Sequence, residues 1–152
     1  MKLTKIASAG LLALFAGTSA DAHKVIPPPT MADLATTWLG GEQAGLEYVG
    51  LRLAADGTGS MAIQYLPQQP AEAYRITKTK LDKYKVVFEV TPAGASAEAI
   101  YLRGTAISNR MVLELGGTKV DWKRSILLER REAVIARIEA VDTRLRESEE
   151  EP

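Results

Sequence analysis

The chain contains no cysteine, which excludes thiol catalysis, disulfide exchange and cysteine metal sites. Any exported form must then be held by its core alone. It has a single histidine, His23, so a Ser-His-carboxylate hydrolase would have to use that residue as its base. His23 sits just ahead of Pro27-Pro28-Pro29, on a chain end with no rigid shell to position it. A copper-chelating histidine brace needs a second histidine, and Met31 or Asp33 would complete only a poor ligand set. Phosphate cradles are missing too, because Gly57-Thr58-Gly59 is not followed by a helix start. The chain also lacks a charge of one sign. Its 19 Lys and Arg balance 19 Asp and Glu, which argues against nucleic acid as a partner. These absences lead to the expectation of a protein that is not an enzyme and needs no cofactor and no metal.

Long apolar runs are confined to the N-terminus. Lys2 and Lys5 precede the apolar, small-residue stretch Ile6–Gly17, and Ala20-Asp21-Ala22 supplies a cleavage pattern. Residues 1–22 therefore read as a secretory signal peptide, too short for a membrane span of roughly 20 residues. No cysteine follows to carry a lipid. The mature chain is expected to be periplasmic or secreted, with no membrane span. Residues 23–30 form a proline-rich leader, stiff and extended.

The stretch Glu47–Leu66 sets the pattern for the rest of the chain. Val49, Leu51 and Leu53 share one face of a strand, as do Met61, Ile63 and Tyr65 on the return. Asp56-Gly57 between them suits the positive φ angles of a tight hairpin. The unit then repeats. Tyr74 and Ile76 alternate in a strand over 73–80, with Leu81-Asp82-Lys83 as its turn. Tyr84, Val86, Phe88 and Val90 alternate next. Ile100 and Leu102 lie on one face and Tyr101 on the other; Met111, Leu113 and Leu115 alternate, and Val120, Trp122 and Ile126 fall in phase. About eight consecutive strands with short turns predict an all-β, antiparallel, up-and-down meander that closes into a barrel over residues 31–128. Thr30 and Asp33 predict a short, capped N-terminal helix beginning at Met31.

Near Glu129 the apolar period changes from 2 to 3.6. Val134, Ile138, Val141 and Leu145 form one stripe, predicting a C-terminal amphipathic helix over 129–147, with 148–152 as an acidic tail. The stripe is expected to lie on the barrel wall. Its spacing also allows pairing with a second copy or another protein, so the chain is expected to be a monomer or a helix-mediated dimer.

Trp38 after a short helix, the Asp56-Gly57 hairpin, Tyr101-Leu102-Arg103-Gly104-Thr105-Ala106-Ile107, Met111-Val112-Leu113-Glu114-Leu115 and a closing helix together resemble small bacterial lipocalin-like domains, of the calycin type. Lipocalins proper carry Gly two residues before this Trp, where Thr36 stands here. The resemblance implies a barrel with a helix on its wall and an apolar ligand inside. Trp38, Tyr65, Tyr74, Phe88, Tyr101 and Trp122 are candidates to line such an interior, although a core filled by these side chains is the plainer outcome. Arg52, Arg103 and Arg124 interrupt strands, and Arg103 is the leading candidate to meet a ligand carboxylate. Glu47, Glu89, Glu98 and Glu114 are expected on the solvent face or rim rather than as a catalytic pair. Two roles follow: a carrier of a small apolar ligand, or a cell-envelope interaction module (inhibitor, immunity or assembly partner) acting through the outer surface or through Val134, Ile138, Val141 and Leu145. The basic hairpin Arg75–Lys85 could attract an acidic partner, or guard a sheet edge with lysines.

Overall fold

The computed structural model describes residues 25–94, 98–116 and 123–150. The signal sequence, His23 and Trp122 lie outside the described residues. Eight antiparallel strands close into a barrel in sequence order. They are β1 (Thr37–Gly40), β2 (Tyr48–Leu53), β3 (Gly59–Gln64), β4 (Glu72–Asp82), β5 (Lys85–Pro92), β6 (Ile100–Ile107), β7 (Arg110–Gly116) and β8 (Lys123–Arg130). A one-turn helix, α1 (Met31–Leu34), precedes β1, and a 20-residue helix, α2 (Arg131–Glu150), follows β8.

Alternation decides which side chains enter the barrel. Val49, Leu51 and Leu53 of β2, Val86, Phe88 and Val90 of β5, Met111 and Leu113 of β7, and Ile126 and Leu128 of β8 are all buried. They form one hydrophobic cluster, and no polar or charged residue is buried among the described residues. The β2–β3 turn is held by Asp56, whose carboxylate accepts from the Thr58 backbone N–H (2.9 Å) and hydroxyl (2.7 Å). Gly57 there has φ +85°, which an L side chain rarely adopts. Gly59, two residues on, is fixed by space: a Cβ would sit 1.9 Å from the Arg52 carbonyl oxygen.

β4 departs from simple alternation. Its register with β5 shifts between Ile76 and Lys78, so Tyr74 and Ile76 face inward and, after the bulge, Leu81 turns inward again to pack on the core. The strand therefore runs on to Asp82, and the turn falls at Lys83 (φ +54°) rather than beginning at Leu81. β5 is paired on both sides, but β4 pairs with β3 only from Glu72 to Ile76, so Lys78 and Lys80 stand on a stretch of β4 whose ladder runs to β5 alone.

The barrel closes through a short seam. β1 pairs with β8 only at Trp38↔Arg130 and Leu39↔Glu129. Beyond it, the Gln43 side chain takes over the ladder: its Oε1 accepts from the Leu127 N–H (2.7 Å), and its Nε2 donates to the Leu127 carbonyl (2.8 Å). A side-chain amide carries the same donor and acceptor as a peptide group, so it extends the sheet where the backbone has turned away.

One end of the barrel is plugged. Thr30 and Asp33 form a reciprocal capping box that starts α1. Leu34 and Trp38 are fully buried, and Trp38 Nε1 donates to the Leu34 carbonyl (3.1 Å). The Arg130 guanidinium lies over the Trp38 ring, 5.0 Å from its centroid. The Tyr84 hydroxyl donates to the Ile26 carbonyl, tying the leader to the β4–β5 turn at this end.

α2 begins at Arg131, not Glu129, because Glu129 and Arg130 are still paired to β1. Residues 148–150, expected as the start of the acidic tail, belong to the helix. The expected packing of its stripe on the wall is not found. No residue of α2 is buried. It is tied to the barrel near its start, by Thr36 donating to the Glu132 carboxylate (2.8 Å) and by the Arg137–Glu129 ion pair (2.6 Å). A helix that continues directly from a paired strand has no intervening loop to fold it back over the wall.

Candidate functional site

The end of the barrel opposite α1 holds a small cavity of about 150 Å³. Met61 and Leu102 belong to its apolar lining with Leu46, Ile63, Val90, Ile100 and Leu115, while Tyr65, Tyr74 and Arg124 add polar groups. Tyr74 comes inward from β4, and its hydroxyl donates to the Glu72 carboxylate. Burial first, and then this carboxylate, push the Tyr74 phenol well above its ordinary range. Burial raises Tyr65 as well, with Glu72 adding to the shift and the Arg124 guanidinium opposing it.

The candidate ligand residues separate into four groups. Tyr65 and Tyr74 line the cavity. Trp38 and Phe88 are fully buried as core, with Trp38 at the plugged end. Tyr101, 65% exposed, and Arg103 stand on the outer face of β6, so neither joins the others. The reason is phase: both are odd steps from the buried Leu102. Trp122 is outside the described residues. Of the three strand arginines, Arg124 reaches the cavity rather than Arg103. The signal was present in the sequence, since Arg124 is two and four residues from the buried Ile126 and Leu128. Glu72, the partner of Tyr74, is not among the sequence candidates. It stands two residues before Tyr74 on the same face of β4, so the period of a single strand brings the two together.

No family model, characterised protein or solved structure matches the chain. Function must therefore be argued from the geometry.

Among the described residues, no group of three or more His, Asp or Glu is placed to hold a metal ion. No helix there is long and apolar enough to cross a membrane. Outside the barrel the wall carries shallower features. Across β2, β3 and β4, the outward residues Arg52, Ser60 and Arg75 are direct neighbours, above a groove floored by Gly50, Ala62 and Ala73. On β6–β8, Ile107, Val112 and Leu127 are partly exposed.

The largest departure from a self-contained domain is α2. Ile138, Val141 and Leu145 are 63%, 48% and 58% exposed, and Ile135 is also exposed beside them. Val134, nearest the barrel, is half-buried. A regular apolar stripe with nothing on it marks an interaction surface more often than a folding element.

Proposed function

We propose that this chain is an exported, non-catalytic interaction module of the cell envelope, in which the barrel is a rigid mount and α2 is the contact surface. The observation that carries this reading is the pairing of a packed barrel with an exposed, regularly spaced apolar stripe on a projecting helix. Export rests on the charged and apolar pattern of residues 1–22. The non-catalytic reading is supported by the single histidine and by the dispersal of the strand carboxylates.

The lipocalin-like resemblance favours a second reading, a ligand held in the barrel. Tyr65, Tyr74 and Arg124 around the cavity are the observation behind it. Its size restricts the ligand. Pockets for drug-sized molecules run from about 300 Å³, whereas a void near 150 Å³ suits a single small ring. A ligand of that size with an acidic group could meet Arg124.

The test is truncation after Arg130, with complexes compared in native mass spectra of protein taken from its own envelope fraction. A folded barrel that loses its protein partner supports the interaction role. A complex retained without α2 moves the role to the barrel wall. A small mass carried by the truncated barrel and released on denaturation favours the ligand reading.

A further inference from the structure

We infer that the partner of α2 is a second copy of the same helix, aligned parallel and in register, so that two barrels are joined by a short coiled coil. This deepens the interaction-module reading and rests on it. In a two-stranded coil, the core positions of a seven-residue repeat are called a and d, and the flanking positions e and g. The stripe of α2 fits with Ile138 and Leu145 at a and Val134 and Val141 at d. The next d position is Ser148.

The flanking charges then sort by sign. The g positions within α2 are Arg137 and Arg144, both basic. The e positions are Ile135, Asp142 and Glu149, so those that are charged are acidic. In a parallel pair, each g residue meets the e residue five places later on the other chain. Arg137 meets Asp142 of the second copy, and Arg144 meets Glu149, twice over by symmetry. In an antiparallel pair, g meets g and e meets e. With Ile138 against Val141 and Leu145 against Val134 of the second copy, Arg137 would then face Arg144 twice over, a pair of like charges, and Asp142 would face the apolar Ile135. The pattern therefore selects one orientation as well as one partner.

A merely solvated helix surface would not need this arrangement. The side away from the seam is charged too, with Glu132, Glu139, Arg146 and Glu147 beside Ala136, Ala140 and Thr143; what sets the flanks apart is that their charges sort by sign, Arg137 and Arg144 on one and Asp142 and Glu149 on the other. Ile135 widens the apolar strip on the e side. Two flanking residues have neighbours within their own chain: Arg137 pairs with Glu129 (2.6 Å) and Asp142 with Arg146 (2.8 Å). Arg144 and Glu149 are in no ion pair with each other or with those residues, and they make the cleaner probe.

Purified mature protein is examined alone by sedimentation velocity over a concentration series. The wild type is expected to dimerise reversibly. R144E places like charge against Glu149, and E149R places like charge against Arg144. Each substitution should raise the dissociation constant about tenfold. An equimolar mixture of the two variants restores opposite charge at both contacts and should dimerise as tightly as the wild type. Because the chain has no cysteine, S148C gives a single thiol at a d position, and mild oxidation should link it to itself. All three substitutions are at exposed helix positions, so far-ultraviolet circular dichroism should be unchanged. A wild type that is monomeric up to ~1 mM overturns the inference, as that is beyond the weakest useful dimer. It is also overturned if the mixture is no tighter than either variant, or if S148C cross-links only when mixed with R131C, which is the antiparallel result. A monomer that nevertheless loses a different protein partner on truncation after Arg130 sinks the homodimer and leaves the interaction module standing. A monomer with no partner in either form sinks both.

Discussion

In β5, Val86, Phe88 and Val90 recur every second residue and are wholly buried; in α2, Ile138, Val141 and Leu145 recur just as regularly and remain exposed. Both segments carry an apolar face at the period of their own secondary structure. What differs is the neighbour. A strand in a closed barrel is paired on both sides, and its inward face meets the inward faces of the other strands. α2 meets chiefly β8 and β1, at the end of the barrel from which it starts, and none of its residues is buried there. Amphipathic pattern therefore reports that a face needs covering. It does not say whether the cover belongs to the same chain.

That contrast can be tested at matched positions. Phe88→Ala should cost about 3–5 kcal/mol in denaturant unfolding, since it leaves a cavity in a close-packed interior. If it costs under about 1 kcal/mol, the barrel is not packed as described and the difference between the two regions disappears. The closing seam comes next. Gln43→Ala removes both side-chain bonds to Leu127, and a loss of about 1–2 kcal/mol is expected, because the Leu127 backbone groups lose their partner.

Two titrations compare the ends of the barrel. The Tyr74 phenol has its folded pKa raised, so its contribution is whole below the ordinary phenol value of about 10 and is lost as pH rises through the folded value. Tyr74→Phe should flatten the alkaline arm of the stability profile. At the plugged end, the Thr30 backbone N–H and hydroxyl hold the Asp33 carboxyl below its usual range. Its contribution is present above the ordinary carboxylate pKa of about 4 and fades as pH falls through the lower, folded value. Asp33→Asn should remove that part of the acid dependence and leave the alkaline arm untouched.

The smallest effect belongs to the helix. Ile138→Ala in dilute solution should change barrel stability by no more than about 0.5 kcal/mol, as expected of an exposed side chain away from the fold's supports. A larger loss in dilute solution would mean that α2 is part of the core after all.

Much of the barrel is legible in the order of residues alone. Strict alternation in Val49-Gly50-Leu51-Arg52-Leu53 and in Val86–Val90 names both the strand and its inward face, and Asp56-Gly57 names the turn. The same rule, applied to Leu102, excludes Tyr101 and Arg103 from the interior and, applied to Ile126, brings Arg124 in. The cavity itself is less legible. Tyr65 follows β3, Tyr74 (with Glu72 two residues before it) lies on β4 and Arg124 on β8, and only register brings these three places to one end. The β4 bulge is hidden because an extra residue leaves no mark in composition. It is visible only where Ile76 pairs with Val90 and Lys78 with Glu89.

By itself, then, the sequence determined the local geometry: eight alternating segments, a capped first turn, and a terminal helix with one apolar stripe. Those features follow from side-chain period, turn chemistry and capping, which act over a few residues. Tertiary structure decided the rest. It determined that the sheet closes through Gln43 and Leu127, that the interior is filled by Trp38 and Phe88, and that α2 leaves the barrel with its stripe uncovered. These outcomes depend on which distant surfaces meet, and contact between residues far apart in the chain is set by packing the whole barrel at once.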